Sequence, residues 1–298
     1  MTQTSAEPQQ RSVTISFLDI YKFKRQGQDK NVPQKKKGPF LAPSRSLPWE
    51  YALRQGCSQK PQVDISTTFW RIPLPHTPHL LIEIERAVSR ERLKRYLAAT
   101  AQNLEDAVSL YEQNVALSEM TFGLLHGLEV AIRNSMHDQL SAHFATPRWY
   151  TVAPLSTYSL DKVHAAVRDA GGPTASPGKV VAELMFGFWT DLAAQRYHWS
   201  LWQPCLSAAF PGVRLARPVI HRRLEAIRWL RNRVAHHEPI LTSAGSLYAG
   251  HQRRISLEQL AECGDWISAA LGDWMRAYFR FGQATAIVNN VATSGWFL

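Results

Sequence analysis

From about Leu80 onward, apolar residues recur every three or four positions, and no stretch alternates between apolar and polar. Residues three and four apart share one helix face, so each such segment can bury its stripe only against other helices. "ERAVSRERLKRYLAATAQNLEDAVSLYEQNVAL" puts Val88, Leu93, Leu97, Leu104, Val108, Tyr111 and Val115 in one stripe. "SEMTFGLLHGLEVAIRNSMHDQLSAHF" carries another through Leu117, Thr121, Leu124, Leu128, Ile132, Met136 and Leu140, and Ser118 before Glu119 predicts a separate start. A short helix is predicted over 160–170. The aromatic-rich "VVAELMFGFWTDLAAQRYHWSLWQPCLSAAFPG" reads as a helical pair with Gly187 at a close approach. Another helix begins near Arg217 or Pro218, because proline is tolerated in a first turn. A last one over 256–279 presents Leu257, Leu260, Cys263, Ile267, Leu271 and Trp274. The expected fold class is all-α, a helical bundle without a repeat of fixed period.

The first quarter of the chain has a different character. Nine of the seventeen prolines fall before residue 80, and "FKRQGQDKNVPQKKKGPFLAPSRSLP" mixes Gly, Pro, Ser and like charges without periodicity. Residues 1–79 are therefore expected to be a basic, largely disordered extension. In it Lys35, Lys36 and Lys37 form a solvated run that could also touch phosphates, and "VDISTTFWRIPL" could add a short strand. The folded domain is expected over 80–280, with 281–298 as a tail. The net charge of +10 makes a polyanion an expected partner. Cys57, Cys205 and Cys263 are far apart and form no CxxC pair, which argues against a disulfide framework or thiolate zinc site. The first residues lack a signal peptide's apolar run, and no run of about 18 apolar residues occurs, so no membrane span and a cytoplasmic location are expected.

One stretch asks for more than folding requires. In "RWLRNRVAHHEPIL", Arg231, Asn232, His236, His237 and Glu238 fall within eight residues, closed by Pro239. Ile220, Leu224, Ile227, Leu230 and Val234 keep step with the helix, Arg231 follows Ile227 by four, and Asn232 and His236 stack on one face. Basic residues near a helix C-terminus commonly cap carbonyls, and that bland account stands beside a functional one. Upstream, "HGLEVAIRNSMH" steps His126, Glu129, Arg133 and His137 along one side of a helix. A surface Glu129–Arg133 pair would explain this. If that side faces inward, a carboxylate could instead orient Arg231 or His236.

These residues carry a resemblance. "LRNRVAHHEPI" resembles the signature of the Abi-like proteins, a bacterial abortive-infection branch of the HEPN superfamily. The superfamily motif of arginine, a polar residue, further positions and histidine falls on Arg231, Asn232 and His236, and "HHEPI" is similar to the Abi-like branch in particular. "LLHGLEVAIRNSMHDQL" and "VVAELMFGFWTDL" also resemble that branch, in its usual order, so the likeness covers about 80–280; residues before 80 have no counterpart. The resemblance implies an antiparallel four-helix core, metal-independent RNA cleavage, dimerisation through the motif-bearing helices, and a role in phage defence or a toxin–antitoxin pair. No cofactor or metal is implied.

The chemistry suits those residue types. Histidine can take or give a proton near neutrality, while arginine stays charged and grips two phosphate oxygens at once. Attack by a ribose 2′-OH would leave a 2′,3′-cyclic phosphate. Asn232 could bind the same phosphate or hold the His236 tautomer. One histidine cannot easily serve as base and acid together, whereas a two-fold dimer sets two copies of the motif across one cleft. Arg231, Asn232 and His236 are the expected catalytic residues, with Glu129, Arg133, His237 and Glu238 as candidate supports; His237 and Glu238 could equally close the helix end. Two other classes compete. A metal hydrolase built on His236, His237 and Glu238 is disfavoured, because consecutive helical side chains diverge by about 100° and no HExxH pattern occurs. A basic helical module that binds RNA or a partner without cutting would use the same groove.

Overall fold

The computed structural model describes residues 76–242, 245–251 and 253–294, which belong to one compact unit. The readings placed before residue 76, including Lys35–Lys37, Cys57 and the segment at 63–74, lie outside the described residues.

The expected all-α class holds. Ten α-helices are described: α1 (Pro78–Val88), α2 (Arg90–Ala99), α3 (Leu104–His143), α4 (Thr157–Asp169), α5 (Pro177–Glu183), α6 (Phe186–Leu192), α7 (Arg217–Ala235), α8 (Leu257–Asp265), α9 (Ala269–Tyr278) and α10 (Phe281–Thr293). Two short antiparallel strands, β1 (Leu247–Gly250) and β2 (Arg253–Ile255), interrupt them.

The spine is α3. Asn103 caps it by accepting from the backbone N–H groups of Glu105 and Asp106, and both acids favour the positive helix end. The two stripes expected on either side of Ser118 are one continuous helix of 40 residues. Ser118 starts nothing, because the stripe passes unbroken through Leu117, Thr121, Leu124 and Leu128, all buried, and the helix continues through Gly123 and Gly127. The real break lies earlier, where Ala101 and Gln102 take left-handed backbone angles between α2 and α3. By length and apolar content, α3 is the one described helix that could cross a bilayer. Leu110, Leu117, Leu125, Leu128, Ile132 and Met136 are fully buried in the unit, the placement of a core helix.

α7 packs antiparallel to α3. Residue 114 near the start of α3 meets residues 240 and 241 just past α7, while Glu129 further along meets Arg231. Ile220, Leu224, Ile227, Leu230 and Val234 are buried as the periodicity predicts.

Other expectations need correcting. The helix expected over 256–279 is two helices, because Ser268 caps a new start and α8 crosses α9 at glycines. A Cβ on Gly264 would lie 2.8 Å from the Met275 sulfur and 3.1 Å from Gly272 Cα, so neither glycine tolerates a side chain. Trp274 is 44% and Val115 47% exposed, outside the buried stripes assigned to them. The aromatic-rich pair is instead α5, α6 and a series of short 3-10 and π turns around Trp189, Leu201, Leu206 and Phe210. Gly187 meets α7 only at ordinary distance: a Cβ there would be 3.5 Å from Arg228 Cδ. The tail expected at 281–298 contains α10, whose Ala284, Val288 and Val291 are buried. The β1–β2 hairpin leaves no pattern in the sequence, since its four and three residues are too short for a visible alternation.

Candidate functional site at the end of α7

The final turn of α7 closes through two backbone bonds. The His237 N–H donates to the Val234 carbonyl (3.1 Å) and the Glu238 N–H to the Arg233 carbonyl (2.9 Å). His236 is the last residue near helical geometry, and His237 turns left-handed at φ 57°. This is the Schellman arrangement, and His237 stands where glycine is usual.

Three side chains fix the loop that follows. Asn114, 4% exposed on α3, accepts the N–H groups of Ile240 (2.9 Å) and Leu241 (3.2 Å) with one oxygen. Arg233 donates twice to the Pro239 carbonyl, pairs with Glu238 at 2.7 Å and lies over the Tyr248 ring. From α2, Arg92 donates to the His237 carbonyl at 2.8 Å. Burial pulls the Arg233 guanidinium below its ordinary value, and the nearby Glu238 opposes this. These partners were hidden in the sequence, because they lie far apart along the chain and make no local pattern.

The side chains of His236 and His237 are both exposed and make no hydrogen bond or ion pair with the described residues, and neither does the half-buried Asn232 amide four residues before His236. The site is thus a backbone gripped from three sides, presenting two imidazoles, of which that of His236 follows Asn232 by four.

The three arginines of the stretch have different roles. Arg228 is bidentate on Glu225 (2.9 and 2.7 Å) and stacks over Trp229. Arg233 is consumed by the loop. Arg231 has one partner, Glu129, at 3.4 Å through Nε, with its side chain 31% exposed. Its two terminal nitrogens have no partner among the described residues, so it is the one arginine of the three that keeps a fork to offer an oxyanion.

The second polar line divides. Glu129 turns inward to meet Arg231, as one of the two sequence readings allowed. Arg133 does not join the site; its Nε donates to the adjacent Asn134. His126 is exposed. His137 accepts the Trp149 indole N–H at 2.9 Å on Nδ1, and burial, with Arg133 nearby, pulls its pKa down against the influence of Asp138. His137 is therefore a neutral structural acceptor. His237 contributes backbone to the turn and Glu238 a carboxylate to Arg233.

Among the described residues no three His, Cys, Asp or Glu side chains converge to hold a metal ion. Cys205 and Cys263 are buried free thiols, and burial pushes Cys263 up to about 12, which keeps it protonated and inert. Neither a protein-family model, nor a curated protein, nor a solved structure matches this chain.

Proposed function

We propose that this chain is a metal-independent endoribonuclease of the HEPN type, acting in abortive infection or as the toxin of a toxin–antitoxin pair. One observation carries the reading: a rigidly held helix end offers an unpartnered His236 imidazole five residues after the one arginine of its stretch with an open guanidinium fork. Side chains that only closed a helix would be expected to use their polar atoms, as Arg233 and Glu238 do; the His237 imidazole is exposed like that of His236, and only its backbone serves the turn.

In the proposed reaction Arg231 neutralises the phosphate oxygens, Glu129 holds its stem, and Asn232 binds the same phosphate or the imidazole. His236 moves the proton: as base it takes the 2′-OH proton, and as acid it gives one to the departing 5′-oxygen. The 2′-oxygen forms a bond to phosphorus while the bond to the 5′-oxygen breaks, leaving a 2′,3′-cyclic phosphate and a 5′-hydroxyl.

Helix geometry favours a dimer. Five residues along a helix turn through about 140°, so Arg231 and His236 leave α7 in different directions within one protomer. An isologous pair of α7 ends would set each arginine against the partner's histidine across one cleft, and would supply separate acid and base. The antiparallel α3–α7 pair is the natural centre of the four-helix core that the resemblance implies. RNA is the substrate, a cognate antitoxin the further protein partner, and the cytoplasm the working compartment. No cofactor is required.

The test is cleavage of total RNA by wild type and by His236→Ala, in excess chelator, with product ends mapped. Wild type should give 2′,3′-cyclic phosphate ends, and His236→Ala should bind RNA without cutting it. Light scattering should return a dimer. Failure of wild type to cut while both proteins bind RNA would replace the nuclease with a non-enzymatic RNA-binding module.

A further inference from the structure

At the other end of α7 lies a cleft of about 490 Å³, lined by Gln195, His198, Trp202, Ser207, Ala216 and Arg217 among others. The N-terminus of a helix normally has a side-chain cap and an acid in its first turn, both answering the positive end of the helix dipole. α7 has neither: Ala216 occupies the cap position, the first turn holds no acid, and a proline follows Arg217. The Arg217 side chain adds a formal charge there although the residue is only 6% exposed.

The guanidinium is partly accounted for. Its NH1 donates to the Ala193 carbonyl at 2.6 Å, and NH2 to the Gln195 side-chain oxygen. Ala193 ends α6, so Arg217 caps that helix, and the cap alone is one account of it. It leaves two things unexplained. Arg217 Nε and His198 Nδ1 are both buried without a hydrogen-bond partner among the described residues, and both residues line the cleft. A buried cation at a positive helix end, without a counter-charge, is costly unless an anion completes it.

We propose that this cleft binds a small phosphorylated molecule, with its phosphate at the start of α7 between Arg217 and His198. A phosphate accepts from several directions, which suits a guanidinium, an imidazole, the Gln195 and Gln203 amides and the Ser207 hydroxyl around one space. The volume exceeds that of a bare ion and falls in the range of small-ligand pockets, so the phosphate carries an organic body. The site is independent of the ribonuclease reading.

The experiment is thermal unfolding of the full chain with inorganic phosphate, pyrophosphate or adenosine monophosphate, against acetate and sodium chloride at equal ionic strength. A saturable rise of about 3–10 °C is expected with the phosphorylated probes and none with the controls. Ala216→Asp supplies the missing cap and puts a carboxylate where the phosphate would sit. It should fold at least as well as wild type and bind the probes at least tenfold more weakly. Arg217→Lys should also weaken binding. Arg231→Ala, which removes the phosphate contact proposed for the nuclease, should respond as wild type does, which separates this site from the nuclease. No shift with any probe, an equal shift with acetate, or a shift that survives Ala216→Asp would each overturn the proposal.

Discussion

Replacing His237 with glycine separates the two histidines of the HHEP stretch. His237 holds φ 57° at the turn after α7, a conformation that costs an L-residue about 1–2 kcal/mol and glycine nothing. Its side chain is exposed, and the bonds through its N–H and carbonyl survive the change. Glycine's extra freedom in the unfolded chain returns roughly 0.5–1 kcal/mol of that gain. The net effect is a stabilisation of about 0.5–1 kcal/mol, or ~1–4 °C in Tm for a unit of this size. His237→Val, branched at a left-handed position, should move the midpoint the other way. Thermal or urea unfolding reads both, and RNA cleavage by His237→Gly should match wild type. A lowered midpoint for His237→Gly, or lost cleavage in a folded His237→Gly protein, would mean that the imidazole does work here assigned to the backbone.

Other outcomes follow from the same geometry. Asn114→Ala leaves two buried N–H groups without an acceptor and should cost about 2–4 kcal/mol in urea unfolding. Glu129→Gln should cost about 1 kcal/mol, because the Arg231 pair is only partly buried; if Glu129 aligns Arg231, cleavage falls more than RNA affinity does. His137 favours its neutral form in the fold, so the unfolded chain takes up its proton first as pH drops below about 6.5. Stability should therefore be full above that pH and decline below it, and His137→Gln should flatten the decline in midpoint between pH 7 and 5.

The sequence made the helices legible where their stripes were long. Ile220 to Val234 is read correctly because a single face is buried along the whole of α7. Breaks were harder, since they depend on backbone angles rather than periodicity: Ala101 and Gln102 are ordinary letters that happen to turn left-handed, and Ser118 is a good cap residue left inside a helix. At the site, the order of residues marked out Arg231, Asn232 and His236. It could not tell Glu129 from Arg133, because both lie on the same side of α3 and only the position of α7 decides which one gains a partner. It also could not show that His237 and Glu238 serve the turn, since that depends on Asn114, Arg92 and Arg233 meeting a loop distant in sequence.

Asn114 and Glu129 belong to the same unbroken rod, about 60 Å long, and each holds one side of the motif. The jaws that steady Arg231 and the HHEP turn therefore cannot be moved separately by any rearrangement that keeps α3 straight. Control of the proposed centre would have to come from outside, by covering the imidazole or, in the proposed dimer, by separating the two copies.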